Sequence, residues 1–474
     1  MKKIVLALSI LSLFSACQKN TEESENPSRK KPNIILIFAD DLGYGDLESY
    51  GATQWTTPHL NQLAKEGTQM NRFYVPHAVC SASRAALLTG AYANRLGIYG
   101  AYDHTAKQGL HPAEETIAEI LKAQGYATGM VGKWHLGHLP EFLPTRQGFD
   151  SYYGLPYSND MWPHHPEVKD YYPPLPLLQN EEVIDTLDEQ SQLTTLYTEK
   201  ALEFIDQNSD RPFFLYLAHS MPHVPLYVSE KFAGQSEQGL YGDVIMEIDW
   251  SVGQVHQKIK DLGLEENTLI IFTSDNGPWL SYGGHAGLTA GLREGKGTSW
   301  DGGIRVPAIF KWTGKIPEDK TIEDPAMTID VLPTIAAITE SPLPEKVIDG
   351  ESIWPLLTEG KAKARPYFAY YNRNELHAVF YENWKLVFPH RYRTLPKDAE
   401  LRNDGIPVKY EHINLEKMEL YDLSSDPFEQ ADVASKHPEI VHKLNKMADE
   451  ARKDMGDALT KSQGTGQREV GRVQ

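Results

Sequence analysis

From about residue 32 the chain alternates between short, unbroken apolar runs and stretches with helical spacing. The apolar runs keep ending in polar side chains. Ile34–Ala39 (I-I-L-I-F-A) stops at Asp40 and Asp41, and Ala127–Val131 runs into Gly132, Lys133 and His135. Phe213–Ala218 runs into His219 and His223, and Leu269–Thr273 into Asp275 and Asn276. Runs of this length without alternation suit parallel strands covered on both faces. Between them, Glu114–Gln124 and Tyr241–Lys260 carry apolar residues at helical spacing. The alternation predicts an open α/β sheet with helices on both sides. In such sheets the site lies beyond the carboxyl ends of the strands. One acid after a strand is ordinarily a loop residue, but four runs that deliver acids, a lysine and imidazoles to one edge mark a site.

The pattern changes after Gly360. A-V-F-Y-E-N-W-K-L-V-F alternates and predicts an antiparallel sheet, Tyr367-Phe368-Tyr370-Tyr371 reads as strand core, and Pro438–Arg452 has the spacing of a helix packed on that sheet. This gives a large α/β domain over residues 32–360 and a smaller α+β domain over 361–457. Gly456–Gln474 holds little apolar material, so residues 458–474 are expected to fray as a flexible tail.

The N-terminus has a different character. Lys2 and Lys3 precede an apolar stretch from Ile4 to Phe14, followed by Ser15, Ala16 and Cys17. A basic start, a short apolar segment and small residues describe a signal peptide over residues 1–16, and the stretch is too short for an ordinary membrane span. L-F-S-A-C resembles the bacterial lipobox, which implies lipidation of Cys17 and a polar tether over residues 17–31. The expected location is therefore a lipid-anchored, exported protein facing the periplasm or the surface of a bacterium. With 46 Lys and Arg against 65 Asp and Glu, the net charge of −19 argues against nucleic acid as a partner, which demands a basic face. It also requires any anionic substrate to meet a local basic pocket.

Only two cysteines occur, Cys17 and Cys80, so neither a disulfide framework nor a Cys-rich zinc site is available. Cys80 opens a predicted helix, Ser81–Thr89, which Gly90 stops. Free N–H groups at a helix start favour negative charge. Asp40, Asp41, Asp275 and Asn276 offer only oxygen donors, which suits a hard cation such as Ca²⁺ or Mg²⁺. Arg84, Lys133 and Lys296, with several histidines, supply the basic surroundings of an anion. A metal, a cationic cluster and a single special cysteine describe anion-transfer chemistry.

C-S-A-S-R followed by A-A-L-L-T-G resembles the signature of the type I sulfatases, in which the cysteine is converted to formylglycine. N-I-I-L-I-F-A-D-D-L-G, G-K-W-H-L-G, P-H-V-P-L, T-S-D-N-G, G-K-G-T-S-W-D-G-G-I-R-V-P and E-L-Y-D-L-S-S-D-P-F-E-Q are similar to further blocks of that family, in the family's order. Y-G-L-P-Y-S-N-D is similar to the arylsulfatase A-like branch. The resemblance covers roughly residues 32 to 450 and implies an alkaline-phosphatase-like α/β/α sandwich with a four-stranded C-terminal sheet. It implies Ca²⁺ held by Asp40, Asp41, Asp275, Asn276 and modified Cys80. Arg84 and Lys133 then hold the formylglycine, His135 acts as the base of the second half-reaction, and His223 and Lys296 grip the sulfate and assist the leaving oxygen. Ser158 touches the site. His285 and Arg293 lie near these blocks and are expected to contact substrate.

The chemistry gives each group a reason. A sulfated cysteine has no easy route to turnover, whereas a hydrated aldehyde is a gem-diol. One of its hydroxyls attacks sulfur, and the other lets the carbon eject sulfate. The expected substrate is a sulfated carbohydrate, and the expected partners include a formylglycine-maturing enzyme. Besides a transferase that would hand sulfate to another alcohol, two further alternatives stay open at this point. One is a phosphodiesterase or phosphonate hydrolase of the same superfamily, and the other is a non-catalytic sulfated-glycan-binding lipoprotein whose Cys80 is not matured.

Overall fold

The structure, a computed structural model, describes residues 31–473; the expected signal peptide, Cys17 and almost all of the expected tether lie outside the described residues. An eleven-stranded sheet forms the centre. From one edge its strands are Lys320–Ile322, Thr68–Tyr74, Arg305–Lys311, Thr268–Ser274, Asn33–Ala39, Phe213–Ala218, Ala127–Gly132, Ser151–Gly154, Leu175–Gln179 and Glu182–Leu187. The short strand Ala326–Met327 adds to Thr68–Tyr74. The five strands from Thr268–Ser274 to Ser151–Gly154 run parallel, in the register Ile37↔Leu217, Phe38↔Thr273 and Val131↔Leu217.

Alternation along Asn33–Ala39 shows how the layers form. Ile34, Leu36 and Phe38 belong to one hydrophobic core, Ile35, Ile37 and Ala39 to another, and all six are fully buried. The first core is covered by Cys80–Thr89, Ile117–Lys122 and Val331–Thr339, and the second by Pro58–Lys65, Leu193–Gln207 and Leu240–Asp261. A strand with two apolar faces thus separates two helical layers, as its unbroken apolar run requires.

The sheet is not wholly parallel. Arg305–Lys311 runs antiparallel to both neighbours, and Leu175–Gln179 with Glu182–Leu187 forms an antiparallel hairpin at the other edge. Nearly every residue of Glu182–Leu187 is exposed, and its polar composition left no apolar run to signal a strand.

Tyr367–Tyr371, Glu375–Tyr381, Trp384–Val387 and Glu419–Asp422 form a four-stranded antiparallel sheet. The helix Pro438–Met455 lays Leu444, Ala448, Ala451 and Met455 upon it, at the i, i+4, i+7 spacing of one helix face. Phe380, Tyr370 and Leu386 share the core that contains Phe38, so the small sheet closes one side of the large one.

Residues 458–473, expected to belong to a flexible tail, lie against the large domain in the structure. The chain turns at Gly456 and runs back along the large domain, where Gly471–Arg472 pairs with Gln108–Gly109. Arg468 bridges to Glu114 at 2.9 Å. Hydrogen bonds and ion pairs hold the segment where apolar content would not, which explains why a hydrophobicity argument missed it.

Candidate active site

The strand register assembles the acids. Ala39 pairs with Ser274, so Asp40-Asp41 and Asp275-Asn276 leave the sheet side by side. The Asp41 amide donates to Asp275 Oδ1 at 3.0 Å, and Asn276 Nδ2 donates to Asp41 Oδ1 at 2.7 Å. From the next strands, Gly132 hands the chain to Lys133, whose amide donates to Ala218 O at 2.8 Å. A Cβ at position 132 would stand 1.8 Å from that same carbonyl oxygen, and φ there is +113°, so only glycine allows this exit. Asp41 and His135 themselves adopt left-handed backbone (φ 62° and 61°), an energetic cost borne at the two points where the chain must turn side chains inward.

Cys80 is the first residue of Cys80–Thr89 and is 2% exposed. Its Sγ lies 3.5 Å from Lys296 Nζ and 3.7 Å from Asp40 Oδ1. Lys133 Nζ contacts Asp40 Oδ2 at 2.5 Å and Ser158 Oγ at 3.0 Å. Lys296 Nζ reaches Asp41 at 2.6 Å, and Arg84 meets Asp275 at 2.9 Å and Asp40 at 3.4 Å. Around the sulfur, three carboxylates therefore interlock with three cations. His223 donates Nδ1–H to Val224 O at 2.5 Å and directs Nε2 toward Asp41 Oδ2 at 3.6 Å.

Electrostatics separates these groups. Burial pushes the Cys80 thiol up, and Lys133 and Lys296 only partly offset it. The unmodified side chain therefore stays a neutral thiol, unlike the low-pKa cysteines that act as nucleophiles. Burial opposes ionisation of Asp40 as well, but Lys133, His223 and Arg84 hold its carboxyl below the usual range. Asp275 is pushed up by burial and by the negative charge of Asp40, despite Arg84. Burial, with Lys133 and Arg84 nearby, holds His135 well below the usual imidazole value, so it is neutral and able to accept a proton.

The donor set fits a hard cation. Asp40, Asp41, Cys80 and His223 bring ligand atoms within 4.8 Å of one another, and Asp275 and Asn276 adjoin them. Asn276 Oδ1 is buried with no hydrogen-bond partner, although its Nδ2 is doubly engaged. An orphaned amide oxygen beside three carboxylates is what an oxygen-seeking ion would satisfy.

Of the residues expected from sequence, Asp40, Asp41, Cys80, Arg84, Lys133, Ser158, His223, Asp275, Asn276 and Lys296 gather here. His135 is tied to the neighbouring segment, with Nε2 2.7 Å from Tyr102 O. Arg293 does not join them. Its guanidinium donates to Tyr421 Oη, Tyr392 Oη and Glu429 O, each at 3.1 Å, and lies 3.5 Å over the Trp300 ring, joining the loop to the C-terminal strands. His285 stands beside Gly405, at the end of the turn Leu280–His285 that carries Tyr282. Asp160 was missed. Burial opposes its charge, yet His223, Lys133 and Lys296 hold it below the usual range, and its Oδ1 is buried and unpartnered. It closes the same Y-S-N-D stretch as Ser158, two positions on, which was the available signal. Aromatic rings cluster in the segments around it, the His104 ring centroid 5.4 and 5.2 Å from those of Tyr171 and Tyr172, and His165 5.5 Å from Tyr172.

An α/β sheet ending in paired acids, with a small antiparallel sheet alongside, defines the alkaline-phosphatase-like class. Within it, the sulfatase family profile matches residues 32–341, and the profile of the N-sulphoglucosamine sulphohydrolase C-terminal region matches residues 295–454. The chain is 41% identical over 448 residues to arylsulfatase A of Homo sapiens, covering 88% of this chain and 87% of that protein. It is 32% identical over 517 residues to the N-acetylgalactosamine-6-O-sulfatase of Bacteroides thetaiotaomicron, covering 94% and 99%. A sulfatase structure from Pseudoalteromonas sp. superposes with a TM-score of 0.82 at 26% identity, covering 93% of this chain and 92% of that one. The chain belongs to the sulfatase family.

Proposed function

We propose that this protein hydrolyses a sulfate ester carried on a carbohydrate, releasing inorganic sulfate, with Cys80 matured to formylglycine and Ca²⁺ held by Asp40, Asp41, Asp275 and Asn276. The observation that carries the reading is the setting of Cys80, a buried neutral thiol among three carboxylates and three cations, which is useless as a thiolate and well placed as a modified residue. When present, formylglycine supplies a hydroxyl nucleophile and Ca²⁺ polarises the oxygens around it.

The chain's own residues account for the rest. Lys133 and Lys296, whose Nζ atoms flank position 80, offset charge on the sulfuryl oxygens in a site that excludes water. Arg84, fixed between Asp275 and Lys133 O, holds the acids in place. His223 and Lys296 stand where the departing alcohol oxygen collects its proton. Neutral His135 accepts a proton at Nδ1, because Nε2–H is committed to Tyr102 O. Asp160 and the Tyr171–Tyr172–His104 rings present an acceptor and apolar faces suited to sugar hydroxyls and ring C–H groups. Relatives named for N-acetylgalactosamine sulfates support a sulfated sugar as the substrate class.

An exported, lipid-anchored bacterial protein remains the reading of the N-terminal sequence; among the described residues no helix is long and apolar enough to cross a membrane. The test is the intact mass of the peptide containing Cys80, from a host with a maturing enzyme, paired with a panel of sulfated sugars. A loss of about 18 Da together with sulfate release supports the reading. A modified peptide with turnover of phosphate diesters or phosphonates alone would replace it with the phosphonate hydrolase alternative. Binding without turnover by a fully modified chain would overturn it.

A further inference from the structure

His135 depends on a backbone oxygen. A carbonyl only accepts, so the 2.7 Å contact with Tyr102 O places the proton on Nε2 and leaves the buried, unpartnered Nδ1 as the free lone pair. The segment that carries this carbonyl, Ile98–Gly109, is irregular until its last two residues. On one side it is tied to the Cys80 helix, since the Ala82 amide donates to Gly100 O at 3.2 Å and the Tyr102 amide to Ser81 Oγ at 3.0 Å.

On another side it is held by the chain's own last described residues. The Arg468 amide donates to Arg95 O at 2.7 Å, and Arg95 donates back to Gly466 O at 3.1 Å. Gly471 and Arg472 pair antiparallel with Gly109 and Gln108, and the Val473 amide donates to Lys107 O at 3.1 Å. With the Gln108 side-chain amide turned so that its oxygen faces Arg472, the guanidinium donates to it twice, at 2.8 and 2.9 Å. Backbone contact is close enough that a Cβ on Gly97 would lie 3.2 Å from Arg468 O. These contacts amount to a two-residue ladder and a guanidinium clamp on a segment with few regular bonds of its own.

We propose that residues 464–473 are a positioning brace for His135, holding the Ile98–Gly109 segment so that Tyr102 O fixes the tautomer and ring angle of the base. The proposal rests on the assignment of His135 as the base given above. None of the hydrogen bonds of the brace reaches position 80. Its loss therefore slows the step His135 serves without weakening the first encounter with substrate, because small displacements of a positioned group cost large factors in rate.

The experiment compares the full chain with a variant lacking residues 464–474, each in two forms. Formylglycine-loaded protein gives kcat, KM and the pre-steady-state time course of alcohol release. Unmodified protein, with Cys80 as the thiol, gives hydrogen exchange across residues 98–109. The expected result is a kcat lowered by about 10-fold or more with kcat/KM within about twofold, so that KM falls together with kcat, a burst of alcohol release ahead of a slower steady state, and faster exchange confined to 98–109. Unchanged kcat, or unchanged exchange in 98–109, overturns the brace. If the shortened chain does not fold, Arg472→Ala in the full chain is expected to move kcat and exchange the same way by about threefold, with Arg472→Lys recovering part of it. An Arg472→Ala chain identical to the parent in both overturns the brace. A full, matured chain without sulfatase turnover would instead sink the assignment beneath the proposal, which the full-chain arm reports separately.

Discussion

Among the described residues, two clusters of buried charge are built to opposite ends. Beyond the sheet, Asp40, Asp41 and Asp275 interlock with Arg84, Lys133 and Lys296. Between the large sheet and the C-terminal strands, Lys385 Nζ sits 2.9 Å from Asp301 Oδ1 and 2.5 Å from Glu429 Oε1, while the Asp301 amide donates to Glu429 Oε2. In the second cluster the polar groups turn on each other. The first leaves Asn276 Oδ1 and His135 Nδ1 buried without partners, and both belong to residues facing the same chemistry. In the first cluster that unmet capacity lies on neutral acceptors able to take an ion or a proton, whereas in the second Glu429 Oε1 also lacks a hydrogen bond but is met by the Lys385 ammonium at 2.5 Å.

Substitutions in the two clusters should therefore fail in different measurements. The largest effect is expected from Cys80→Ala, which should abolish sulfate release in a steady-state assay while circular dichroism and Tm stay near the parent. Full residual activity would remove the modified residue from the mechanism. Next, Lys296→Ala should lower kcat/KM by about 100-fold or more with a modest change in Tm, since it removes a fixed positive charge at the reacting group. Lys385→Ala should do the reverse. Leaving Asp301 and Glu429 buried and unpaired should cost about 3–5 kcal/mol in denaturant unfolding, with the folded fraction keeping its kcat. Equal kinetic damage from both lysines would erase the distinction.

Metal removal sharpens the comparison. Chelation by EGTA should lower the Tm of the parent, because a ion held only by the folded chain stabilises it by mass action. Asn276→Ala should shrink that shift and weaken calcium retained after dialysis, and an unchanged shift would exclude the amide as a ligand. The smallest effect concerns acid stability. Burial lowers His77, His377 and His390 to about 3 each, far below the value of about 6.5 in an unfolded chain. A depressed histidine folds neutral, so its contribution is intact above about pH 6.5 and is lost as pH falls toward 3, by at most about 1.4 kcal/mol per unit per group. His377→Gln should flatten the fall of unfolding free energy between pH 6 and 4, and an unaltered slope would argue against this histidine.

Sequence carried the strands and the acids well for a physical reason. An unbroken apolar run such as Ile34–Ala39 has few alternatives to a doubly covered strand, and the acids directly after it inherit a fixed place. It carried less where function rests on backbone. Tyr102 contributes a carbonyl, which every residue possesses, so nothing in its identity marks it. Arg293 reads as a substrate contact because it lies near the site blocks along the chain, and its three oxygen partners in the C-terminal region are not visible there. Residues 458–473 looked loose because their cohesion comes from hydrogen bonds rather than apolar area.

The split of Asn33–Ala39 between two cores has a consequence for inheritance of damage. A slip of one residue along this strand would exchange the occupants of both layers at once, and would carry Asp40 and Asp41 away from Asp275 by the same step. Packing and chemistry thus share one alignment, and the packing enforces it. Lesions in this strand should appear in a culture as missing protein rather than as sluggish enzyme, so the molecules that survive quality control are those whose catalytic edge is already in line.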